Sequence, residues 1–230
     1  MQIITPQFDC FPGGWICYDD KSCRQRASRE NRRVSSNHWP AFHAVKGGIL
    51  SSDERLNPHY ADANHVYVPY CSSDSWSGTY VSPDPSKKPS FLGALIVREV
   101  VRELIEYQQL LFSEELFLAG SSAGGTGVLV NVDPVAAMLA EGGVKVRGIV
   151  DSGWFLDNDP FSSECKEGHG APGAECSVIS NLKKGVRMWR AHVPRSCESV
   201  HPGEDVWKCF FGYKIFPLLK SKSLNSFCDG

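Results

Sequence analysis

The run Gly120-Ser121-Ser122-Ala123-Gly124-Gly125 limits what this chain can fold into more than any other stretch. It follows four apolar residues, Leu116-Phe117-Leu118-Ala119, that read as a strand. It opens a helical segment at about 125–141, with Val128, Leu129, Val132 and Val135 on one face. A strand can turn this sharply into a helix only where side chains are small. Val146 to Val150, ending at Asp151, reads as the next strand. Upstream, residues 91–107 form an amphipathic pattern: Arg98, Glu99, Arg102, Glu103 and Glu106 on one face, Val97, Val100, Val101, Leu104 and Ile105 on the other. His65 to Tyr70 reads as a short buried strand entering the loop Cys71 to Gly78. Strands and helices alternating at this spacing predict βαβ units, an α/β fold around a mainly parallel sheet. Beyond residue 160 the chain is Cys-rich and irregular, with one helix expected at 179–192.

Composition narrows the function classes. The formal charge of -2 argues against a nucleic-acid binder held by bulk positive charge. No apolar run approaches the ~20 residues that span a bilayer. Nine cysteines, none in a C-x-x-C pair, argue against a zinc ribbon or a thioredoxin-type site. At this density they suggest disulfides formed in an oxidising compartment. Met1 to Phe11 lacks the basic start and apolar stretch of a signal peptide. The five arginines of 22–33 (Arg24, Arg26, Arg29, Arg32 and Arg33) read first as a solvated helix face, and second as a patch for an anionic polysaccharide.

Gly120-Ser121-Ser122-Ala123-Gly124 fits G-x-S-x-G, and its strand-to-helix setting is that of a nucleophile elbow. The turn would hold Ser122 exposed at the helix N-terminus, with the backbone N–H of Ala123 aimed at an oxyanion. The competing reading is a glycine-rich helix start or a phosphate-binding turn. A Walker loop is excluded, since no Lys follows the glycines. A serine esterase needs a second oxyanion donor from an upstream loop. Gly13-Gly14-Trp15 is the upstream candidate, although a Gly-Gly pair alone is more often an ordinary turn.

Gly120 to Val132, read with Asp151-Ser152-Gly153-Trp154-Phe155-Leu156-Asp157-Asn158, resembles the Notum branch of the pectin acetylesterase family. Pro69-Tyr70-Cys71-Ser72-Ser73-Asp74 and Cys209-Phe210-Phe211-Gly212-Tyr213-Lys214 resemble it too, and the likeness runs from about residue 13 to 220. The resemblance implies one α/β-hydrolase-like domain over 1–230 and a secreted serine carboxylesterase that uses no cofactor. Ser122 would be its nucleophile, and Gly14, Trp15 and Ala123 its oxyanion hole. Trp15, Phe155, Phe210 and Phe211 would line an acyl pocket. The substrate would be a palmitoleoylated Wnt-type protein. Read without the family, the same phenylalanines are plain core. Ile16 stands where the family leads one to expect an aromatic residue.

The resemblance also sets out what to look for and not find. The family's acid and histidine lie C-terminal to Phe210-Phe211, whereas the tail Ser223 to Gly230 does not read as the apolar strand leading to the acid. Asp229 is a weak substitute for the acid, and no His follows it. His169, His192 and His201 read as loop or helix surface. Upstream, His38, His43, His59 and His65 lack metal spacing. Asp151, Asp157 and Asp159 read as turn and cap residues rather than a calcium site. Asp9-Cys10-Phe11-Pro12 replaces the apolar strand expected before the Gly-Gly-Trp loop. These features point to a partial chain, incomplete at both ends of the sheet, with little or no turnover of its own. Two other readings are a polysaccharide O-acetylesterase and a non-catalytic lipid-binding decoy.

Overall fold

A computed structural model describes residues 2–4, 14–37, 39–42, 47–158, 178–221 and 223–226, with 2–4 and 223–226 as backbone alone. Its strands are β1 (Gln2–Ile4), β2 (His65–Tyr67), β3 (Glu115–Ser121), β4 (Lys145–Asp151) and β5 (Ser223–Ser226). They form one parallel sheet in the order β2-β1-β3-β4-β5. Parallel neighbours need long crossovers, here carried by helices α1 (Asp20–Arg29), α2 (Gly93–Gln108) and α3 (Ala123–Met138). Three further helices follow: α4 (Val178–Trp189), α5 (Arg195–Val200) and α6 (Gly212–Ile215). The parallel sheet flanked by helices is what the alternating pattern anticipates, and it is consistent with the α/β-hydrolase-like fold that the family resemblance implies.

The core helices follow their apolar patterns. Val97, Val101 and Leu104 bury one face of α2. In α3 the burial goes further than the four apolar positions read from the sequence, since every residue from Ala123 to Val132 is buried. Its second face is covered as well, by the loop after β2 and by the segment 203–215. Gly127 makes that possible: a Cβ there would lie 2.6 Å from the Trp76 ring. Asn131, buried with it, donates from Nδ2 to the carbonyls of Trp76 and Gly127, both at 2.8 Å.

Strands β1 and β5 correct the sequence reading. A strand is present before the Gly-Gly-Trp loop, with Gln2–Ile4 between His65–Tyr67 and Phe117–Ala119. Ser223–Ser226 forms a strand on Gly148–Asp151 despite its polar sequence. Three or four residues are too few for a period-2 pattern to show, and the ladder is made by main-chain groups whatever the side chains. The approach to β5 is pinned separately. The Lys220 and Ser221 N–H groups donate to the Asp133 carboxylate on α3, at 3.0 and 2.8 Å. Beyond residue 178 the chain is more helical than expected: α5 and the 3-10 helix Gly203–Phe210 follow α4, joined by the Cys197–Cys209 disulfide.

The loop from Ser72 to Gly78 is organised around one buried carboxylate. Asp74 is fully buried and accepts from Ser72 Oγ (2.6 Å) and the N–H groups of Trp76 (3.0 Å), Gly78 (3.2 Å) and Gly93 (2.8 Å). Burial pushes its pKa up, and these hydrogen bonds oppose that shift. Gly78 and Gly93 have to be glycine, because a Cβ at either would fall within 2.3 Å of the carboxylate. Replacing Asp74 with Ala leaves three backbone N–H groups buried without acceptors, each costing about 1–3 kcal/mol. Asp74→Ala is therefore expected to lower unfolding stability by at least about 3 kcal/mol, read from the urea midpoint with disulfides intact. A loss below ~1 kcal/mol would contradict this role.

Candidate active site

Strand β3 delivers Ser122 directly onto the first turn of α3, with backbone angles φ 55 and ψ -121. Positive φ is uncommon for a residue with a Cβ, so the surroundings must hold it. Its N–H donates to the Asp151 carbonyl at the end of β4 (2.9 Å), and its carbonyl accepts from Thr126 N–H (3.2 Å). Glycine contacts close the turn. A Cβ on Gly125 would meet the Gly153 Cα at 2.8 Å, the Asp151 carbonyl at 3.1 Å and the Gly120 carbonyl at 3.2 Å. The Ser122 side chain is left half-exposed at the helix N-terminus. Ala123, at the first helical position, has an N–H with no intrahelical acceptor, as an oxyanion donor requires.

The Gly14–Trp15 segment reaches this helix start. A Cβ built on Gly14 would lie 4.0 Å from the Ala123 Cβ. Gly13 lies outside the described residues. The segment is held from three sides. Cys17 N–H donates to the Ser73 carbonyl (2.9 Å), Trp189 Nε1 donates to the Cys17 carbonyl (2.8 Å), and Cys17 is bonded to Cys23 of α1.

A small crevice of about 10 Å³ opens beside Thr126, one turn after Ser122. Trp15 and Ile16 line it from beyond β1, Ser75 from beyond β2, Thr126 from beyond β3 and Phe155 from beyond β4. Val178, Leu182 and Phe210 complete it. All four strands thus contribute from their carboxyl ends, where open α/β sheets place ligands, and β1 and β3 flank the point at which the strand order reverses. Trp15 and Phe155 meet edge to face, ring centroids 5.6 Å apart. Phe210 is buried against Trp189. Phe211 is fully buried edge-on to Trp207, 5.8 Å between centroids, and is not among the residues lining the cavity. Ile16 has an aliphatic, buried side chain in the cavity wall.

The Phe155 loop is anchored from below. Gly212 lets Trp154 pack against its backbone, and Trp154 meets the Phe216 ring at 5.7 Å. Asp157 pairs with Lys214 Nζ (2.8 Å) and accepts from the Tyr213 hydroxyl, which hold its pKa below the usual carboxylate range. Asp159 lies outside the described residues, as do His38, His43, His169 and Asp229. Among the described residues, no hydrogen bond reaches Ser122 Oγ. His65 instead bonds the Tyr60 carbonyl (2.9 Å), His59 packs on Tyr60, and burial lowers the pKa of His192 and His201.

These residues lie within a match to the family model described as Pectinacetylesterase, which covers residues 10–224. The chain belongs to the pectinacetylesterase family. Among curated proteins it is similar to palmitoleoyl-protein carboxylesterase NOTUM of Mus musculus, 45% identical over 213 residues, 90% of this chain and 41% of the relative. The protein of that name from Homo sapiens is 43% identical over 90% of this chain and 41% of its own length. The one from Drosophila melanogaster is 42% identical over 91% and 30%. The chain therefore spans less than half the length of these pectinacetylesterase relatives.

Sequence reasoning missed Arg26. Its charge pattern places it on a solvated face, yet its side chain is only 10% exposed. The available signal was its position three residues after Cys23 on the inner face of α1. Two glycines test the elbow. Gly125→Ala forces a Cβ into backbone on three sides and is expected to cost about 1–3 kcal/mol. Gly14→Ala, whose Cβ meets nothing closer than 3.8 Å, is expected to stay within about 0.5 kcal/mol of the parent. Equal effects in urea unfolding would contradict the close approach at Gly125.

Proposed function

We propose that this chain is a Notum-type serine carboxylesterase, one α/β-hydrolase-like domain that hydrolyses a long acyl ester, palmitoleoyl, on a Wnt-type protein. One observation carries the reading: Ser122, held at positive φ on a helix N-terminus, precedes Ala123, which the Gly14–Trp15 segment approaches, and lies one turn before Thr126 in the wall of a small apolar crevice. The relatives' names supply the palmitoleoyl group and a protein as its carrier, and the family resemblance supplies the Wnt-type carrier. Ser122 Oγ attacks the ester carbonyl as a base takes its proton, and the N–H groups of Ala123, Trp15 and Gly14 receive the oxyanion. The substrate oxygen leaves with that proton, and water then attacks the acyl-Ser122 ester, releasing the fatty acid and restoring the Ser122 hydroxyl. Trp15, Phe155 and Phe210 hold the acyl chain, with Phe211 packed behind Phe210. Each buried CH₂ contributes about 0.8 kcal/mol. Among the described residues no histidine bonds Ser122, and none is assigned as its base. The disulfides Cys17–Cys23 and Cys197–Cys209 favour an extracellular setting. The exposed Arg24, Arg29 and Arg32 offer a cationic face for an anionic glycan.

A fluorophosphonate is expected to label Ser122, slowly for want of a described base, with the site located by peptide mass spectrometry, and Ser122→Ala to abolish labelling. With no described base, turnover of p-nitrophenyl octanoate by the 230-residue chain is expected to fall orders of magnitude below that of a complete triad. What turnover remains should depend on Ser122 and favour octanoate over acetate. Labelling that survives Ser122→Ala would sink the nucleophile. An acetate preference would point to a polysaccharide O-acetylesterase.

Chain-length dependence tests the pocket separately. Phe155→Ala and Phe210→Ala are expected to weaken octanoate binding at least tenfold while changing acetate little, since only the longer chain reaches these rings. Equal losses for both acids would place the acyl chain elsewhere.

A further inference from the structure

We propose that Arg26 is the positioning residue of the oxyanion segment, fixing the Trp15–Ile16 peptide against the loop after β2; this rests on the serine-esterase reading above. The guanidinium is nearly enclosed, unlike those of the exposed Arg24, Arg29 and Arg32. Its Nη2 donates to the Trp15 carbonyl (3.1 Å) and its Nε to Ser73 Oγ (2.6 Å). Ser73 Oγ donates onward to the Arg33 carbonyl (2.6 Å). A guanidinium is planar and only donates, so two acceptors engaged on different nitrogens are fixed relative to each other. The Ser73 carbonyl also accepts from Cys17 N–H at 2.9 Å. Both peptides flanking Ile16 are thus tied to Ser73, one through its hydroxyl and Arg26, the other through its backbone.

An oxyanion hole works because its N–H groups already point at the developing charge. The Trp15 N–H is separated from the pinned carbonyl only by the two torsions of Trp15, so anchoring that carbonyl limits how far the N–H can swing. Burying a cation on neutral acceptors is costly, and burial draws the Arg26 pKa down. Glu30 offsets this only from a distance, at 4.0 Å from Nη1. Arg33, paired through Nε with Glu30 (2.8 Å), lies beneath the segment too and leaves the group of two arginines and one carboxylate with net positive charge. Its Nη1 is buried without a hydrogen-bond partner among the described residues, and lies 3.8 Å from where a Gly14 Cβ would stand. Positive charge on this side of the segment favours an anion at its N–H groups.

Hydrogen exchange and fluorophosphonate labelling of the same variants test the proposal. In Arg26→Gln, amides of residues 14–18 should exchange about tenfold faster or more, while β3 and β4 keep their protection. The labelling rate at Ser122 should fall by about 10²-fold, the scale expected for misplaced catalytic groups, while octanoate binding changes less than about threefold. Arg26→Lys, which reaches one acceptor but not both, should restore part of the labelling rate. Ser73→Ala, should Arg26→Gln fail to fold, should show the same pattern more weakly. Unchanged exchange at 14–18 in folded variants would overturn the proposal. So would a labelling loss that octanoate binding and β3 protection share equally, which marks general destabilisation. If the parent chain is not labelled at Ser122, the esterase reading fails, and exchange at 14–18 still decides whether Arg26 pins the segment.

Discussion

The contact between Gly125 on the first turn of α3 and Gly153 just after β4 decides where everything else in the site can stand. With no side chain on either residue, the helix start drops against the end of the neighbouring strand, near enough for Ser122 N–H to bond the Asp151 carbonyl. That bond and the surrounding backbone offset the strain of a serine at positive φ. A methyl group at either glycine would separate the two elements. The Ser122 hydroxyl, the Ala123 N–H and the Phe155 wall would then lose their common frame.

A second set of constraints works from the other side of the sheet's carboxyl edge. Asp74 gathers the loop after β2 around one carboxylate, and that loop presents Ser73 to Arg26 and Cys17. The segment after β1 is thereby held by the neighbouring loop, by α1 through Cys17–Cys23 and by Trp189 of α4. It does not depend on the three-residue strand β1 alone. The candidate nucleophile and its candidate oxyanion donors thus meet at one point from two independently braced loops.

The elbow was legible in the sequence because its chemistry is local: small residues, an apolar strand before them and an apolar helix after. The helices α2 and α4 were legible through their period, with boundaries within a few residues. The strands β1 and β5 were not, being too short to carry a pattern. Arg26 was misread for a different reason. An arginine's sequence signal is its charge, which usually means solvent, and its burial here is decided by Ser73, forty-seven residues away. Phe210 and Phe211 illustrate the same limit. Adjacent in sequence and both buried, they face different neighbours, Trp189 and the cavity for one, Trp207 for the other.

The central claim is that Ser122, the Gly14–Trp15 segment and the aromatic cavity form a single acyl-transfer site. The most direct measurement is a crystal structure of the chain after reaction with a long-chain alkyl fluorophosphonate. Phosphorus should be bonded to Ser122 Oγ, with the phosphonyl oxygen within hydrogen-bond reach of the Trp15 and Ala123 N–H groups and the alkyl chain between Trp15, Phe155 and Phe210. An adduct on another residue, or an alkyl chain leaving Ser122 away from those rings, would contradict it.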